Sequence, residues 1–170
     1  RAARIVFSEF CAMRQTMTPL LAPLLAKHHK VWRGGDHSIT MPPLRAYRAH
    51  CGRPLAVLHF DAHCDTWQDH FGEPSGHGTW VYEAMQEGLV VRECFTQLGI
   101  RSAGVREARE YVRDQGGLVF TARELRGLES LAQLAPVLGA IRDRLAAHGH
   151  PPVYLSLDID CLDPAFAPGT

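Results

Sequence analysis

The sequence predicts an α/β sandwich built on a parallel sheet, and three observations carry that prediction. Short apolar runs rich in β-branched and aromatic residues alternate with longer amphipathic stretches. No repeat or low-complexity linker interrupts the alternation. Clusters of acids and histidines stand where predicted strands stop, the edge at which open parallel sheets collect their chemistry. With 170 residues, 46% of them apolar and 21% charged, the chain can form one domain, 1–170, around a hydrophobic core.

Taken in order, a helix is expected over 17–29 (MTPLLAPLLAKHH) and a strand over 30–32 (KVW). A helix over 39–51 precedes LAVLHF at 55–60, which has the length and composition of a strand. A helix at 78–89, a strand at 94–100, a helix at 106–115 and a strand at 117–120 continue the rhythm. A long helix over 128–149 repeats Leu131, Leu134, Leu138, Ile141 and Leu145 at helical spacing, which predicts a buried stripe; Gly149 and Pro151 end it. The last strand is PVYLSLDI at 152–159. The chain opens without an initiator Met and stops within DPAFAPGT, so it reads as a piece of a longer protein, its fold incomplete at both ends.

Charge and cysteine usage narrow the function classes. Eighteen basic and eighteen acidic residues cancel, which leaves no global field for nucleic acid or an anionic membrane as partner. No apolar run approaches the roughly 20 residues that span a bilayer. Cys11, Cys51, Cys64, Cys94 and Cys161 are scattered without a CxxC, a usage that suits the reducing cytoplasm.

Three polar clusters follow predicted strands. RGGDHSIT holds Asp36 and His37, HFDAHCDTW holds Asp61, His63 and Asp65, and SLDIDCLD holds Asp158, Asp160 and Asp163. In an extended chain alternate side chains share a direction, so Asp61, His63 and Asp65 can converge, as can Asp158 and Asp160. Singly, each cluster is also what a capped turn or solvated strand end looks like, and Asp36 is expected to cap the helix after it. Jointly, four carboxylates in one cleft would repel and neutralise unless cations balanced them. Two imidazoles and four carboxylates can hold two dications, and oxygen-rich, nitrogen-containing donor sets suit Mn²⁺. Cys64 and Cys161 fall out of phase with the acids and are expected to be small fillers.

GGDHSIT, HFDAHCDT and SLDIDCLDPAFAPGT together resemble the signature blocks of the ureohydrolases, the arginase and agmatinase family, over about Val31 to the end. The resemblance implies a three-layer α/β/α fold with two Mn²⁺ ions per subunit. His37, Asp61, Asp65 and Asp158 would hold one ion, and His63, Asp61, Asp158 and Asp160 the other. Asp61 and Asp158 would bridge, and Asp65 would also bind the attacking water. His77, in SGHGTW, matches a family histidine that protonates the leaving amine. The resemblance further implies a small guanidino substrate and a homo-oligomeric full-length protein. Arginases carry an Asn after the DAHxD block and Ser and Asn ahead of the loop histidine; here Thr66 and Trp67 follow Asp65, and GEPSGHG offers only Ser75. That departure favours agmatine over arginine, with guanidinobutyrate and other guanidino acids as alternatives. The family's guanidinium-gripping Glu is expected beyond Thr170, so no substrate-binding residue is assigned. A dinuclear phosphoesterase uses similar loops but needs a GNH-like segment, which the sequence lacks; an inactive interaction module is disfavoured because all six ligand positions are intact.

Overall fold

A computed structural model describes residues 10–25, 30–69 and 71–169. His28, His29 and His70, expected to be solvated or structural, lie outside the described residues, as does the 26–29 end of the first predicted helix. The helices are α1 (Phe10–Leu25), α2 (Met41–Cys51), α3 (Trp80–Gln86), α4 (Arg106–Asp114), α5 (Ala122–Leu125) and α6 (Leu131–Ala147). The strands are β1 (Leu55–Phe60), β2 (Val90–Ile100), β3 (Leu118–Thr121) and β4 (Val153–Leu157). They form one parallel sheet in the order β3-β2-β1-β4. The predicted α/β class with a parallel sheet is therefore the observed one.

Alternation along the strands separates two faces. Val57, Phe95 and Val119 point to a core shared with Leu44 of α2, Trp80, Val81 and Ala84 of α3, and Val112 of α4. The opposite face receives α6, where the Cys94 thiol meets the Arg144 carbonyl at 3.4 Å. This second layer reaches β2 but not β4: Val153, Leu155 and Leu157 are 49%, 58% and 58% exposed. The stripe expected to be buried on α6 is largely uncovered for the same reason. Leu131 is 79% and Leu138 49% exposed, and Val137 is the buried residue of the helix. Ser130 opens α6 with a reciprocal capping box to Gln133, a start signal independent of that stripe.

The predicted strand at 30–32 does not form. A strand needs a paired neighbour, and residues 30–36 stand across a groove of about 1140 Å³ from the outer edge of β4, with no strand between them among the described residues. The groove does not move the cluster that follows. Asp36 accepts a hydrogen bond from the Ser38 N–H at 2.9 Å and caps a 3₁₀ turn, His37–Thr40, that runs into α2.

Candidate metal centre

The sheet places the acids before any side chain is considered. Phe60 and Leu157 are register partners at the carboxyl ends of β1 and β4, so Asp61 and Asp158 leave the sheet side by side. The ladder continues one step further, with the Asp158 N–H on the Phe60 carbonyl at 2.8 Å and the Asp61 N–H on the Leu98 carbonyl at 3.1 Å.

Beyond that point the chain is not extended, and the alternation expected for Asp61–Asp65 is not how these side chains converge. Asp61 Oδ1 accepts from the His63 N–H at 2.7 Å, which folds the loop back, and Asp65 has a left-handed φ of 51°. Asp158 behaves alike: its Oδ1 accepts from the Asp160 N–H at 3.0 Å and opens a 3₁₀ turn, Ile159–Cys161. Arg101 holds that turn by donating to the carbonyls of Asp160, Cys161 and Leu162. Asp163 instead accepts from the Ala165 N–H and shapes the next turn, away from the cluster. Cys64 is a buried filler whose thiol burial pushes up in pKa, whereas Cys161 is only half-buried.

All six predicted ligand residues come together, in two lobes. In the inner lobe His37 Nδ1 lies 2.9 Å from Asp61 Oδ2, 3.2 Å from Asp65 Oδ2 and 3.4 Å from Asp158 Oδ2. Three carboxylate oxygens therefore crowd this one buried nitrogen. His37, Asp61 and Asp65, with the neighbouring His59, form a donor cluster of the kind that holds a cation, and Asp158 borders it. In the outer lobe His63 Nδ1 is 2.8 Å from Asp160 Oδ2 and 3.4 Å from Asp61 Oδ1. Asp61 thus gives one oxygen to each lobe. The inner lobe is buried and the outer one open, with the His63 side chain half exposed.

The electrostatics show how heavily the acids load the cleft. Burial works against a charged His37, but the Asp61 and Asp65 carboxylates outweigh it and carry its pKa up to about 10. Burial would raise Asp61, yet hydrogen bonding from His37 and His59 holds it well below the usual carboxylate range. Asp160 moves the other way, pushed up by burial and then by the Asp61 and Asp158 charges.

Three supporting residues were not anticipated. His59 is fully buried, with Nε2 2.8 Å from Asp61 Oδ2. The Gln97 amide nitrogen meets His59 Nδ1 at 3.1 Å and the Cys64 carbonyl at 2.7 Å, so His59 accepts at Nδ1 and donates from Nε2 to Asp61. The Trp80 indole N–H donates to Asp65 Oδ2 at 2.8 Å. A signal for His59 existed in the sequence: two positions before Asp61 in a strand, it shares that residue's face. Ser156 completes the row across the sheet, its hydroxyl 2.7 Å from His37 Nε2.

His77 lies on the turn before α3 and, with His37, His63 and both acid pairs, lines a cavity of about 620 Å³. Trp67, Asp69 and Phe71 line the same cavity. Ser75 is occupied elsewhere, its hydroxyl donating to Glu83 at 2.9 Å.

Known proteins share this architecture. Residues 9–170 match the model of the arginase family. The agmatinases of Proteus mirabilis and Photorhabdus laumondii are 42% and 44% identical to the chain over 140 and 137 residues, 81% of this chain and 39% of each relative. The solved proclavaminate amidino hydrolase of Streptomyces clavuligerus superposes with a TM-score of 0.81 at 36% identity, over 98% of this chain and 53% of that one. An arginase from Bacillus subtilis follows at 0.75 and 28%, over 94% and 57%. The chain thus spans about two-fifths of the length of the curated relatives. On its sequence, its sheet and its paired His–Asp lobes, the chain belongs to the arginase family.

Proposed function

We propose that this chain carries the metal centre of an amidinohydrolase, which hydrolyses a guanidino compound to urea and an amine with two Mn²⁺ ions. The observation that carries the reading is Asp61, whose two oxygens face two separate donor lobes beside one cavity. His37, Asp61, Asp65 and Asp158 would hold one cation, and His63, Asp61, Asp158 and Asp160 the other. The donors fit: they are oxygen-rich with one imidazole per lobe, and carboxylates outnumber the imidazoles that could balance them. When bound, the two cations supply a water acidified enough to attack at neutral pH.

The chain's own residues do the rest. Asp65, held by the Trp80 N–H through Oδ2, accepts a hydrogen bond from the attacking water and orients it. His77 gives a proton to the departing amine nitrogen, without which the tetrahedral carbon would not release a strongly basic leaving group. The full-length protein is a homo-oligomer of this unit.

Agmatine, giving putrescine, is the favoured substrate. The cavity carries Trp67 and Phe71 for an alkyl chain and the Asp69 carboxylate for a cationic tail, and Ser75 is not free to bind an α-carboxylate. The likeness to an amidino hydrolase named for proclavaminate supports guanidino acids as the second reading. Urea release by the full-length, Mn²⁺-supplemented protein decides among agmatine, guanidinobutyrate and arginine. Turnover of agmatine above the others is expected; urea from none of them would end the reading.

A further inference from the structure

His77 sits in an irregular segment, and the path of its backbone is set by what holds the residues around it. Ser75, Gly76 and Thr79 are buried and tied to one carboxylate, that of Glu83 in the first turn of α3. The Gly76 N–H donates to Thr79 Oγ1 at 2.8 Å, and the Thr79 hydroxyl donates to Glu83 Oε1 at 2.5 Å. The Ser75 hydroxyl donates to the other oxygen, Glu83 Oε2.

The third donor comes from far away in sequence. Arg14 of α1 is 1% exposed, and its guanidinium pairs with Glu83 while Nη2 donates to the Gly76 carbonyl at 3.2 Å. A buried arginine is a costly way to gain stability, because desolvation consumes most of the attraction. Its fork does something an apolar residue could not: it joins the Glu83 carboxylate to the backbone immediately before His77.

We propose that Arg14 and Glu83 are positioning residues that fix the Ser75–Thr79 turn and thereby the imidazole of His77. The proposal rests on the reading of His77 as proton donor. Arg14→Lys keeps the charge but cannot span both acceptors, and Glu83→Gln keeps the shape but removes the charge that balances Arg14.

The test uses the full-length, Mn²⁺-loaded protein with agmatine, comparing Arg14→Lys, Glu83→Gln, His77→Ala and both double variants with His77→Ala. Metal content, KM, kcat and the pH dependence of kcat are measured for each. Both clamp variants are expected to keep metal content and KM while kcat falls on the order of 10-fold to 100-fold, the range a small misplacement costs. The high-pH limb, where the donor must stay protonated, should shift in the clamp variants. In the His77→Ala background neither clamp substitution should cost anything further. Multiplicative losses in the double variants, or kcat falling in step with metal content or melting temperature, would overturn the clamp alone. A His77→Ala protein as fast as wild type would overturn the proton-donor reading and the clamp with it.

Discussion

At the scale of single residues, the centre depends on which atoms carry protons. With its pKa at about 10, His37 is protonated through the neutral range in the metal-free protein. A cation must take that nitrogen in its neutral form, so uptake expels a proton and tightens as pH rises. Calorimetry in buffers of different ionisation enthalpy should detect release of about one proton per inner-lobe ion at pH 7; uptake without release would contradict the assignment. The sign for stability is the reverse. A raised folded pKa means the His37 contribution in the metal-free protein is fully present below about 6.5, the ordinary value, and is lost as pH climbs through about 10. His59 offers a second test, because it acts on Asp61 through one hydrogen bond. His59→Phe should weaken metal binding by roughly 10-fold to 100-fold, with the sheet intact by circular dichroism. The six candidate ligands were legible as acids and histidines clustered after predicted strands. Gln97 and Trp80 were not, since their contacts to His59 and Asp65 exist only once β2 and α3 are packed beside β1.

At the scale of elements, the site is made by what happens after β1 and β4 stop. Alternation is a property of extended chain and does not survive the Asx turn at Asp61 or the left-handed Asp65. The sequence pattern therefore pointed to side chains that do come together, for a geometric reason that does not hold. Gly99, within β2, shows how tightly the turn is packed: its φ is +98°, and a Cβ there would lie 3.1 Å from the Asp61 carbonyl oxygen. Gly99→Ala is expected to destabilise by about 1–3 kcal/mol and to weaken metal binding. Gly88→Ala is the control, with positive φ but open space around it: it should lower the melting temperature without touching metal affinity. Equal effects on metal binding from the two substitutions would argue against the packing account. The α6 stripe and the 30–32 strand failed for a related reason. Periodicity reports a face suited to burial, and an unpaired apolar run reports strand propensity; neither supplies the element that would cover or pair with it.

At the scale of the whole molecule, β4 is the exposed flank. It is an edge strand of the described sheet, and Leu155 and Leu157 on its open face sit beside the groove lined by residues 30–36. An uncovered apolar edge is a template for self-association. The 170-residue chain produced alone should therefore aggregate at rising concentration, and Leu155→Lys should suppress this in light scattering. No suppression would place the sticky surface elsewhere. The metal centre borders this flank through Asp158, so its integrity and that of the sheet edge are linked.

The central claim is that one pair of carboxylates serves two cations, and metal stoichiometry tests it most directly. Elemental analysis of the full-length protein after Mn²⁺ loading and gel filtration should find two ions per chain in the wild type. Asp158→Ala should lose bound metal and urea release together. A single ion in the wild type, or two ions retained by Asp158→Ala, would contradict the shared centre.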